Sequence, residues 1–194
     1  MEGHATSQPI HAEEYCVDAT SAFRFCPIQR AEWWTQCFTW WTIRADGQLV
    51  IGICVDTRMA FGGAYSPNRF ERISRMVAAA IQVRQARFDQ ANPPPAAVLG
   101  WQQARRARQH AGLLPEGEAQ RAPRYLQVFI DDWAGAALND SVAVPANLGH
   151  ITITPEATIA IGGTPSPANS RVRVHAMITI DQLRRVGLEE AGTK

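Results

Sequence analysis

One stretch of this chain limits its fold more than any other. The apolar run Tyr125-Leu126-Gln127-Val128-Phe129-Ile130 is followed at once by Asp131-Asp132, then by the small residues of Trp133-Ala134-Gly135-Ala136. The run has the composition of a strand. Paired aspartates after it read as a turn, so 125–138 is expected to be a β-hairpin carrying two carboxylates at its tip. Adjacent carboxylates repel unless a cation sits against them, and oxygen-only ligands suit a hard divalent cation such as Mg²⁺. A further carboxylate is then needed, and Asp18 is the best placed. It ends the short β-prone run Tyr15-Cys16-Val17-Asp18. Two neighbouring strands ending in Asp would bring these groups to the spacing that a two-metal phosphoryl-transfer site uses.

With 194 residues, the chain can bury one full core and is expected to form one domain. A polar lead-in spans 1–13 and the folded unit 14–194. No apolar run approaches the ~20 residues that span a bilayer. The first residues lack a basic segment followed by an apolar one. An intracellular protein with no membrane partner is expected, in the nucleus or the cytoplasm. Cys16, Cys26, Cys37 and Cys54 contain no Cys-x-x-Cys pair, so buried free thiols are expected rather than a zinc site. Between Arg69 and Arg124 there are ten arginines against Glu71, Asp89, Glu116 and Glu118, while Lys194 is the only lysine in the chain. An arginine-rich middle suits phosphate contact; it equally suits an ordinary solvated helix face.

Local signals give the order of elements. Residues 14–18 read as a strand, and 23–30 as a short turn or helix. Residues 36–44 and 48–56 read as a hairpin around Asp46-Gly47. Ser66 and Pro67 can open a helix. Phe70, Ile73, Val77, Ala80 and Ile81 then recur at helical spacing to about Phe88. Pro93-Pro94-Pro95 stops it. A second helix is expected over 96–111, with Leu99 and Trp101 inward and Arg105, Arg106 and Arg108 outward. Residues 151–154 are β-prone, and 172–187 read as the last helix. Segments 92–123 and 139–169 read as inserts. The tryptophans at 33, 34, 40 and 41 are expected in the core. The sum is an α+β fold, an antiparallel sheet with helices on one face.

Set in order, these motifs resemble the palm and partial fingers of a reverse transcriptase of the retrotransposon type. Asp18 followed by Phe23 is similar to that family's first palm motif. Phe61-Gly62-Gly63-Ala64-Tyr65-Ser66-Pro67 is similar to its second, and Phe129-Ile130-Asp131-Asp132 to its third. Leu183 to Gly187, with Lys194 beyond, resembles its fourth. The resemblance implies RNA-directed DNA polymerase activity, a nucleotidyl transfer that adds deoxynucleotides to a primer 3′ end. It implies Asp18, Asp131 and Asp132 as catalytic ligands of Mg²⁺, with Mn²⁺ as a substitute. Phe23 would lie beneath the incoming sugar and exclude a 2′-hydroxyl. Phe61 and Gly62 would approach the nascent pair, Arg58 would touch the triphosphate, and Lys194 would protonate the leaving pyrophosphate. The partners implied are an RNA or DNA template-primer and deoxynucleoside triphosphates, with thumb or RNase H segments encoded alongside. The upstream fingers strands and primer grip of that family have no counterpart here. Two other functions fit the same residues: a catalytically inactive remnant that at most binds nucleic acid through its arginines, and an α+β interaction module.

Overall fold

The computed structural model describes residues 10–20, 22, 26–59, 66–113, 125–129, 132–153, 158–159 and 167–188. The fold is α+β. Its strands are β1 (Ala12–Asp18), β2 (Cys37–Ile43), β3 (Leu49–Val55), β4 (Tyr125–Phe129), β5 (Asp132–Leu138) and β6 (Thr158–Ile159). Its helices are α1 (Ser66–Ala91), α2 (Ala96–His110) and α3 (Arg171–Arg185). The larger sheet runs β4-β5-β1-β6 and every pairing in it is antiparallel. β2 and β3 form a separate two-stranded ribbon.

Burial along β1 alternates strictly. Glu13, Tyr15 and Val17 are buried, while Glu14, Cys16 and Asp18 are exposed. A period of two means one face of the sheet is covered and the other open. α1 and α3 supply the cover, packing on β4, and on β1 and β5, respectively. The join is specific at Tyr15. Its hydroxyl accepts from Gln85 Nε2 of α1 at 2.6 Å and shares a hydrogen bond with Thr179 Oγ1 of α3 at 3.2 Å. Burial holds the phenol above its ordinary pKa, against the pull of those two hydrogen bonds. Directly opposite, Gly135 makes room for the ring: a Cβ there would lie 2.4 Å from Tyr15 Cζ. Next along, Val17 pairs with Trp133, and the indole is fully buried.

α1 follows its expected periodicity, with Phe70, Val77, Ile81 and Phe88 buried on one stripe. α3 is buried almost all round because it lies between the sheet, α1 and the segment 146–153, where Leu148, Ile151 and Ile153 are buried. Hence part of the stretch read as a second insert belongs to the core. Ile151 and Ile153 alternate in burial, yet 151–153 forms no strand, because this segment packs on α3 without a ladder beside it. Arg171 ties the region together. It makes two hydrogen bonds at 2.8 Å to Asp140, one at 3.0 Å to Asp89 and one at 2.7 Å to the Asn92 carbonyl. Asp89 also meets His175 Nε2 at 2.9 Å.

Three expectations change. α2 forms where the periodicity placed it but buries no residue. Trp101 is 61% exposed and Leu99 36%, so neither is buried in the core. α1 and α3 already fill the covered face of the sheet, which leaves α2 outside. The tryptophans of the first hairpin are not core either: Trp34, Trp40 and Trp41 are exposed and Trp33 is half-buried. Among the cysteines only Cys26 is buried, and all four are free.

Candidate active site on the open face of the sheet

β1 and β5 run antiparallel with Asp18 opposite Asp132. Residues directly opposed in such a pair have Cα atoms about 4.5–5.5 Å apart. The alternation sends both side chains to the open face, since Val17 and Trp133 beside them are buried against the helices. Phe129 of β4 pairs with Asp132, the first residue of β5, so Asp132 stands at the hairpin end of that strand. Like charges directly opposite each other on a sheet are destabilising. The register places two carboxylates side by side at one end of the open face.

Cys16 sits on the same face, two residues before Asp18 and opposite Ala134. Its thiol is held above its ordinary pKa by burial first, then by the charges of Asp132 and Asp18. The thiol therefore senses both carboxylates. Beyond it the open face continues through Ala134, Ala136 and Glu14. Next to the acidic pair, β5 presents the small residues Ala134 and Ala136 on this face, and the register sets Gln127 of β4 beside Ala134. Cys16 was expected to be a buried thiol, and its position beside the carboxylates follows from the register alone.

Two hard oxygen donors on one face suit Mg²⁺ or Mn²⁺ better than a soft metal. Among the described residues no group of three or more His, Cys, Asp and Glu forms a metal site. Asp131, Phe23, Phe61, Gly62 and Lys194 lie outside the described residues. Arg58 is placed by an antiparallel bridge to Pro27 at the base of the ribbon, where its backbone N–H donates to Asp56 Oδ1 at 3.0 Å. Its charge acts on Cys26, lowering a thiol pKa that burial raises. Of the sequence-derived site residues, the structure thus brings Asp18 and Asp132 together.

A cleft of about 550 Å³ opens elsewhere, between α2, the end of α1 and the far end of β5. Asp89, Arg106, Leu138 and His175 help to line it. Its nearest lining residue on β5, Ala136, is roughly 13 Å along the strand from Asp132 at ~3.3 Å per residue, so it is separate from the acidic pair. No described helix is long and apolar enough to cross a membrane. No protein-family model matches this chain, and no curated protein matches it either.

Proposed function

We propose that this chain is the palm portion of an RNA-directed DNA polymerase, catalysing nucleotidyl transfer onto a primer 3′ end. The observation that carries the proposal is the register pairing of Asp18 with Asp132 on the open face of an antiparallel sheet. The motif order in the sequence supports it, with Asp131 next to Asp132 at the hairpin turn.

In this reading, Asp18 and Asp132, together with Asp131, would hold divalent cations. Bound Mg²⁺ would lower the pKa of the primer hydroxyl and neutralise charge on the triphosphate and the departing pyrophosphate. The primer 3′-oxygen forms a bond to the α-phosphorus while the bond from that phosphorus to pyrophosphate breaks. The protein's own part is positioning: β1 and β5 fix the carboxylates, and the ladder keeps them from moving as charge develops. On β5, the small residues Ala134 and Ala136 beyond Asp132 would let a duplex end approach that strand closely.

The test is primer extension on an RNA template with Mg²⁺ or Mn²⁺. Extension is expected from the unaltered chain, and Asp18→Asn, Asp131→Asn or Asp132→Asn should reduce it by at least about 100–1,000-fold. Full extension in these variants would sink the assignment. A binding-only role is the second reading, favoured by the exposed arginines 106 and 108 on α2. It predicts salt-sensitive RNA binding with no extension, unchanged by Asp18→Asn.

A further inference from the structure

The β2–β3 ribbon has two unlike faces. On one, Phe38 and Trp40, 54% and 45% exposed, meet at a ring-centroid distance of 6.3 Å and a tilt of 45°, and Trp40 lies over Gly52. On the other stand Cys37, Thr39, Trp41 and Ile43, paired with Val55, Ile53, Ile51 and Leu49. This second face holds five large apolar side chains in one patch: Trp41 is 66% exposed, Ile43 69%, Leu49 60%, Ile51 57% and Ile53 70%. An isolated two-stranded ribbon is marginal in water. A solvated apolar patch of this extent marks an interaction surface.

We propose that this face docks a second copy of the same chain, ribbon against ribbon about a two-fold axis. The area fits. At on the order of 100–200 Å² of exposed surface per side chain, the patch offers roughly 600 Å². A symmetric contact doubles that to about 1,200 Å², the lower bound of a stable interface. The chemistry fits as well. An isologous contact sets residues near the two-fold axis against their own copies, so a charge there would meet a like charge. The eight residues of this face carry none. Face-to-face sheet packing at ~10 Å then lets branched side chains interdigitate. Nucleic acid is disfavoured on this face, because stacking needs several rings and phosphate needs cations; here one ring stands among aliphatic groups. The ribbon is also anchored for docking. Its base is held by Ile28 N–H to the Thr57 carbonyl and Met59 N–H to the Cys26 carbonyl, both 2.9 Å. Arg69 of α1 reaches Glu32, just before β2, with two hydrogen bonds at 2.8 and 3.0 Å.

Sedimentation equilibrium of the full chain from about 0.1 to 100 µM tests this. A dimer dissociating in the micromolar range is expected. Ile51→Lys, at the centre of the patch, should weaken it at least ~100-fold, and Ile51→Thr, which keeps the strand-favouring branch, ~10-fold. Thr42→Lys, on the other face, should leave it unchanged. A monomer at 100 µM overturns the proposal. So does a dimer that survives both Ile51 substitutions, or one that Thr42→Lys disrupts equally. Co-sedimentation of a monomeric chain with zwitterionic vesicles or single-stranded RNA, lost on Ile51→Lys, would assign the face to that occupant and overturn it too.

Discussion

Gly135→Ala tests how β5 is held in the register that opposes Asp132 to Asp18. The added Cβ would meet Tyr15 Cζ at 2.4 Å, its hydroxyl oxygen at 2.5 Å and Cε1 at 2.6 Å. Ordinary carbon contacts lie near 3.5–4.0 Å, so ring or strand must move by about 1 Å. The ring has little freedom: Tyr15 is 2% exposed, and its hydroxyl is engaged by Gln85 and Thr179. Overpacking of this kind costs about 1–3 kcal/mol. Displacing the hydroxyl puts two buried hydrogen bonds at risk, at about 1 kcal/mol each. The expected loss is therefore ~3–5 kcal/mol, read from urea unfolding followed by tryptophan fluorescence, with buried Trp133 as a near reporter. Tyr15→Leu removes the ring, so in that background Gly135→Ala should cost under about 1 kcal/mol. A loss below ~1 kcal/mol in the wild-type background, or no coupling between the two sites, would refute the packing argument.

Arg171→Met should cost about 3–5 kcal/mol, because it strands the buried Asp140 and removes one partner of Asp89; urea midpoints measure it, and a neutral result would show the cluster is dispensable. Asp181 accepts from Arg185 at 2.8 Å and from Arg84 at 2.5 Å. Burial works to raise its pKa, but those hydrogen bonds and charges outweigh it and hold the group below the ordinary carboxylate value. Its contribution is thus fully present above the unfolded pKa of about 3.9 and fades as pH falls through the lower folded value. The stability gap between the wild type and Asp181→Asn should accordingly be constant near neutrality and close in acid, as pH-dependent unfolding curves will show. Asp18→Asn should leave the melting temperature within a few degrees of the wild type, as an exposed surface change of about 0.5 kcal/mol or less, while reducing primer extension at least about 100-fold; extension at the wild-type rate would count against the role of the carboxylate.

The local elements were legible because their signals are local. Asp46-Gly47 marks the tip of the ribbon, and there Gly47 takes φ of 83° while Asp46 Oδ1 accepts the Gln48 N–H at 3.0 Å. The heptad-like spacing of α1 and the proline stop after it were equally direct. The tip position of Asp132 followed from the run that precedes it. Burial was less legible. Trp34, Trp41 and Trp101 have core chemistry, but a side chain is buried only if another element arrives to cover it, and no described one does. β6, two residues long, carries no periodicity of its own and exists through its pairing with Glu14 and Tyr15.

The sequence by itself determined the long helices, the two hairpins and the first strand, and that Asp18 and Asp132 stand at strand ends, since propensity and period act over a few residues. Only the tertiary structure decided that Asp18 faces Asp132. That register comes from Tyr15 fitting over Gly135 and from Val17 with Trp133 packing beneath α3, contacts between residues more than 100 positions apart. A slip of β1 by one residue would turn Asp18 toward the helices and Tyr15 and Val17 toward water, so it is the free energy of the covered face that sets the chemistry of the open one.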